Sequence, residues 1–184
     1  MTPKRTTLTT TNPVLITDGK DDAFRKLLYD LFTVGERMSE ARRYFGQQVG
    51  LTGPQFTLLT AVHEIQGATG AIAKDLATYL HVSGPFVAAE SAKLVAKSLI
   101  EKRADDHDGR VSRLRLTKLG TDAIARVLPI MRKINDLIFA VESDEEFEVV
   151  CRVIDRFVGG SVEAMGLIAA DRHTERLRGP GGSS

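Results

Sequence analysis

Lys74-Asp-Leu-Ala-Thr-Tyr-Leu-His-Val-Ser-Gly-Pro-Phe86, continuing through Lys97 into Ile100-Glu-Lys-Arg-Ala-Asp-Asp-His-Asp-Gly-Arg-Val-Ser-Arg-Leu-Arg-Leu116, is the stretch that decides the fold. Lys74 to Leu80 has the spacing of a short amphipathic helix, and His81-Val82-Ser83 reads as a tight turn. A second helix is expected to start at Ser83-Gly-Pro-Phe86 and run to about Leu99, with Ser83 as its N-cap and Pro85 in its first turn. Two strand-like runs around a charged tip follow. Helix, turn, helix and hairpin in that order predict a winged helix-turn-helix, whose second helix can enter a DNA major groove. The expected class is mainly α with a small β-hairpin wing, flanked by terminal dimerisation helices.

Within the wing, Val111 to Leu116 alternates. Ser112, Leu114 and Leu116 share one face; Val111, Arg113 and Arg115 share the other. The leucines are expected to seal the strand onto the helices, and the arginines to project outward. Net charge over the whole chain is only +1, but its distribution is uneven. Residues 93–118 carry eight Lys and Arg against four acids, whereas 140–160 carries six acids against two arginines. The basic stretch coincides with the unit expected to meet a polyanion, as phosphate neutralisation requires. The plainer reading is two solvated faces that differ in sign.

Residues 1–20 are Thr-rich and interrupted by Pro3 and Pro13, and are expected to form a flexible arm. From Asp21, Phe24, Leu27, Leu28, Leu31, Phe32, Met38, Ala41 and Phe45 recur at helical spacing, so 21–50 is expected to be a dimerisation helix. Thr52 with Gln55 has the form of a capping box for the next helix, which carries Phe56, Leu58, Leu59, Val62 and Ile65. Ala71-Ile-Ala73 is expected to add a short strand beside the wing, and 51–118 to be the winged DNA-binding domain. Thr117 caps a long helix in which Pro129 is expected to kink or split the hydrogen bonding. Ser143-Asp-Glu-Glu146 opens the last helix, which Gly159–Gly160 either ends or bends. Residues 119–168 are thus expected to form dimerisation helices, and 169–184 a disordered tail.

Hydrophobic residues are 42% of the 184, enough to bury a core. The longest apolar runs are too short to span a bilayer, and Met1-Thr-Pro-Lys-Arg lacks the hydrophobic segment of a signal peptide. Cys151 is the single cysteine, which fits a reducing cytoplasm and is expected to be buried and inert. His63, His81, His107 and His173 show no metal-ligand spacing, and no nucleophile–base grouping or phosphate-cradling glycine loop is present. Neither catalytic residues, metal nor cofactor is therefore expected.

Three motifs carry a family resemblance: Leu-Ala-Thr-Tyr-Leu-His-Val-Ser at 76–83, Lys-Ser-Leu-Ile-Glu-Lys-Arg at 97–103, and Asp108-Gly-Arg110 leading to Leu-Arg-Leu-Thr-Lys-Leu-Gly120. The run from Leu51 to Gly120 resembles the MarR family of multiple-antibiotic-resistance-type regulators, and the element order is similar over 21–168. The resemblance implies a homodimeric, cytoplasmic transcription regulator, commonly a repressor released from a palindromic double-stranded operator by a small effector. Two features depart from the family pattern. The reading helix opens on Ser83-Gly-Pro-Phe86 rather than on polar residues, and it holds Glu90 and few bases.

On this reading Arg110 is the leading DNA contact, a wing-tip arginine suited to a narrow minor groove, with Asp108 holding the tip and His107 beside it. Ser83, Gly84, Pro85, Phe86 and Ala89 open the reading helix. Glu90 could accept from a cytosine amine. Lys93, Lys97 and Arg103 are phosphate contacts or plain surface cations; Arg113 and Arg115 are expected to track phosphates. The resemblance places an effector between the dimerisation helices and the reading domain, where Arg42, Arg43, Tyr44, Phe56, Leu59 and His63 would meet an aromatic carboxylate or its acyl-CoA thioester. The core alternative for Phe56 and Leu59 stands beside it. A winged-helix adaptor for protein contacts and a redox- or metal-responsive regulator are the competing functions.

Overall fold

A computed structural model describes residues 7–105 and 111–178. The chain divides into two compact units, 1–134 and 135–184. In the first, a 3-10 turn at Pro13–Leu15 precedes α1 (Asp22–Gln47), α2 (Gly53–Ile65), β1 (Ala71–Ile72), α3 (Ala73–Leu80) and α4 (Gly84–Ala96). Strands β2 (Ile100–Ala104) and β3 (Ser112–Leu116) follow, and α5 (Lys118–Ile138) runs on into the second unit, which holds α6 (Asp144–Arg178). The three strands form an antiparallel sheet in the order β1-β3-β2. Helix, turn, helix and wing therefore stand where the sequence places them.

Local chemistry accounts for the starts. Thr52 accepts from the Gln55 N–H at 3.3 Å while the Gln55 side chain accepts from the Thr52 N–H at 3.1 Å, completing the capping box. Thr117 Oγ1 accepts from Gly120 N–H at the start of α5. Ser143 accepts from Glu146 N–H, but the Glu146 carboxylate reaches back to the N–H of Glu142 rather than to the cap itself. Pro129 does not split α5. Pro129 and Ala125 both lie on the exposed side, so the carbonyl the proline leaves unpaired faces water.

The core is one cluster joining Phe45, the α2 face of Phe56, Leu58, Leu59 and Val62, Leu76, Val87 and Leu94 of the helix-turn-helix, Ile100 and Leu114 of the sheet, and Ala123, Ile124 and Val127 of α5. Each full leucine burial contributes about 1.5–3 kcal/mol. Gly120 is required by this packing. A Cβ there would collide with the backbone carbonyl of Leu99, which already accepts from the Thr117 N–H at 3.1 Å.

Three expectations are corrected. The arm is ordered from Thr7 onward: Asp18 and Gly19 both take positive φ in a tight turn, and Thr17 and Lys20 exchange backbone hydrogen bonds. It is pinned by Asp21, whose carboxylate is buried and accepts from the Thr9 N–H at 2.6 Å and the Thr9 hydroxyl at 2.7 Å, beside Arg25 at 2.7 Å. Gly159–Gly160 interrupt nothing, and helix continues to Arg178 where a disordered tail is expected from 169. Cys151 is exposed, because α6 leaves its apolar residues exposed along with it in the single chain.

Two outcomes follow from these contacts. Gly120→Ala is expected to lower stability by about 3 kcal/mol, since a backbone carbonyl cannot yield as a side chain can; urea unfolding reads it, and an unchanged midpoint contradicts the packing. The Thr9 backbone N–H, then its hydroxyl, then Arg25 hold the Asp21 carboxyl down from the ordinary 3.8 to about 2. The stabilisation is present above the unfolded value and is lost as pH falls through the folded one. Proteolysis of the arm should therefore accelerate between about pH 4 and pH 2 and, in Asp21→Asn, already at neutral pH.

Candidate nucleic-acid interface

The reading helix α4 turns Val87, Glu90 and Leu94 inward. Spacing by three and four then leaves Gly84, Pro85, Ala88, Ala89, Ala92, Lys93 and Ala96 outside. Ser83 caps the helix by accepting from the Phe86 N–H at 3.3 Å, leaving the first turn exposed. Phe86 is corrected: it is half-buried against the core rather than offered to a groove. Glu90 is corrected too. Its side chain is 12% exposed, its Oε1 pairs with Lys93 Nζ at 2.6 Å, and its Oε2 is buried, so no acceptor faces outward for a cytosine amine. The charge is held on the core side because position 90 lies between Val87 and Leu94 on the inward face.

Lys97, though exposed, donates to the carbonyl of Gly50 at 3.1 Å and so ties the end of α4 to the loop before α2. Arg103 is exposed on β2 and paired with Glu101 at 2.8 Å. Arg115 is half-buried opposite Glu101. His107, Asp108 and Arg110 lie outside the described residues.

Arg113 does not project outward. It stands directly opposite Arg103, an unfavourable like-charge pair, and each arginine is neutralised by its own carboxylate. The Arg113 Nε donates to Asp105, whose side chain is only 7% exposed. Its Nη1 donates to the Gly70 carbonyl at 3.0 Å and the Thr69 hydroxyl at 3.2 Å. Gly70, with φ of 98°, is needed for this approach: a Cβ there would stand 2.9 Å from Arg115 Cγ and 3.1 Å from Arg113 Cβ.

A groove of about 690 Å³ separates α4 from the wing. Ala88, Ala92, Val95 and Leu114 floor it, and Lys74 and Lys102 stand among its lining residues. These two lysines were not singled out from the sequence. The available signal for Lys74 was its place in the first turn of the first helix of the motif.

A second cavity, about 590 Å³, opens between α1 and the winged core. Arg42 and Arg43 line it, with Ser39 and Gln47 one turn to either side on α1, the start of α2 at Gly53, Pro54 and Thr57, and Leu80, Val82 and Phe86 from the helix-turn-helix. Four of the expected ligand residues are elsewhere. Phe56 and Leu59 are 3% and 0% exposed and belong to the core, where the Phe56 ring packs 6.0 Å from that of Phe45 on α1. Tyr44 and His63 are exposed and do not line the cavity. Ser39 and Gln47 were missed, although their spacing from Arg42 and Arg43 puts all four on one helical face.

The fold and this arrangement define a winged helix-turn-helix protein. Residues 49–111 match the model of the MarR family, a stretch that spans α2, the helix-turn-helix and the entry to the wing. Solved structures share the fold. The Staphylococcus aureus MepR–DNA complex is 21% identical with a TM-score of 0.63, covering 72% of this chain and 94% of that one. The transcription regulator MarR from Oenococcus oeni PSU-1 is 18% identical with a TM-score of 0.63, covering 72% and 98%. CouR from Rhodococcus jostii RHA1, bound to p-coumaroyl-CoA, is 15% identical with a TM-score of 0.64, covering 72% and 91%. None of the curated proteins matches the chain. Among the described residues no helix is long and apolar enough to cross a membrane.

Lys74→Gln and Lys102→Gln should each weaken binding to any duplex uniformly across sequences and flatten the salt dependence by about one unit of slope. Anisotropy titrations over a salt series measure this; slopes equal to wild type would place both lysines off the phosphates.

Proposed function

We propose that this protein is a homodimeric, sequence-specific regulator that represses from a palindromic operator and lets go when a small anion with an apolar body enters the α1 cavity. The observation that carries the reading is the pairing, in one unit, of a reading helix and basic wing with a cavity whose apolar wall includes Phe86 of that same helix. A ligand pressing on Phe86 acts directly on the element that meets the groove. Arg42 and Arg43 supply the charge that a carboxylate or phosphate seeks. The complex of CouR with an acyl-CoA lends an acyl thioester of an aromatic acid to the candidate list.

A second copy is supported by what the chain leaves uncovered. Leu27, Leu31 and Phe32 on α1 are exposed, as are Phe147, Val150, Ile154 and Phe157 at helical spacing on α6. A two-fold pairing would set two reading helices about 34–36 Å apart, one turn of duplex. Arg110, at the segment joining β2 and β3, is proposed to reach the flanking minor groove.

The adaptor reading draws on one observation, the alanine-rich outer face of α4, which offers few side-chain hydrogen bonds to bases. One experiment separates the two. Selection from random duplexes should enrich a palindrome, bound in a salt-sensitive way and weakened about tenfold or more by Arg110→Ala. Aromatic acids or their thioesters that raise the melting temperature should release that duplex, and Arg42→Gln with Arg43→Gln should blunt the release while sparing DNA affinity. A chain that enriches no sequence and retains a protein partner instead is an adaptor.

A further inference from the structure

Arg113 touches every part of the sheet at the end where the wing departs. It sits on the central strand β3, between Ile72 of β1 and Arg103 of β2 in register. Its fork holds Asp105, the residue just beyond β2, and at the same time Thr69 and Gly70, which lead into β1. Asp105 also pairs through its backbone, its N–H donating to the Val111 carbonyl at 2.9 Å. The same loop is secured from α2: Gln66 accepts the Leu116 N–H on its side-chain oxygen at 2.9 Å and the Gly70 N–H on its backbone carbonyl at 2.6 Å. The wing root is thereby bolted to the end of α2.

We propose that Arg113 is a positioning residue that aims the wing, rather than a cation that meets phosphate. The proposal rests on the DNA-binding reading above. The Nε and Nη1 donors are committed, and the carboxylate they neutralise is nearly buried, so drawing the arginine away to a phosphate would strand a desolvated charge. A planar fork is also the group that can grip a carboxylate and a carbonyl together, which an ammonium on a flexible stem cannot reproduce. With the clamp intact, the outer ends of β2 and β3 are held together and tied to the Thr69–Gly70 loop.

The test uses the full-length protein and the duplex it selects, with Arg113→Gln, Thr69→Val, and Lys102→Gln as the phosphate-contact control. Affinity is measured across a salt series, hydroxyl-radical footprints map protection, and melting temperatures are taken alongside. Arg113→Gln should weaken binding about tenfold, the scale of one charge-assisted hydrogen bond, with the salt slope unchanged. Protection should vanish at the outer flanks of the site and persist under the reading helices, a pattern that general loss of folded protein does not produce. Thr69→Val, which removes one neutral partner and no charge, should show a smaller loss of the same kind. A slope flattened by about one unit, as for a lost phosphate contact, overturns the proposal, and so does unchanged affinity. If Arg113→Gln fails to fold, a Thr69→Val footprint identical to wild type overturns it as well. A wild-type chain that selects no duplex sinks the regulator reading itself, before any variant is compared.

Discussion

Burial of Val87 and Leu94 in the cluster with Leu58, Leu59 and Val62 is the interaction on which the rest of the molecule depends. It sets the rotation of α4 about its own axis. Once those side chains face α2, helical geometry puts Ala88, Ala89 and Ala92 outside and draws Glu90 in with Leu94. The outer surface of α4 is then small and apolar, with few side-chain hydrogen-bonding groups.

The wing is held to that core by backbone-level contacts. Thr117 binds the carbonyls of Ser98 and Leu99, Gly120 lets α5 cross tightly over Leu99, and Gln66 and Arg113 close the other side of the sheet. The start of α2 lines the α1 cavity, and its far end carries the wing root. One helix thus joins the α1 cavity at its start to the wing root at its end.

Electrostatics in this chain are local rather than global. A net charge of +1 gives little long-range steering, so the basic residues act by position. Several cations expected to be available are committed within the fold: Lys93 to Glu90, Lys97 to Gly50, Arg103 to Glu101, Arg113 to Asp105. Exposed pairs such as Arg103–Glu101 contribute little to stability. The Arg113 pair differs because its carboxylate is withdrawn from water.

The order of elements was legible in the sequence because it rests on short-range physics: helical and alternating periodicity, the Thr52–Gln55 box, the Ser83 and Thr117 caps, and the charged tip between two strand runs. The α1 face of the cavity was half legible, through Arg42 and Arg43 alone. What could not be read there was which side of each element turns inward. Alternation alone placed Arg113 in solvent, yet a loop more than forty residues away in sequence, with Asp105, takes hold of it. Periodicity left Glu90 open to a base, and the core took it. The continuity of α6 through Gly159–Gly160 likewise ran against local propensity. Sequence determined which elements form and in what order, since caps and periods act between near neighbours. Tertiary structure decided which charges remain available to a partner, since that depends on groups brought together only by packing.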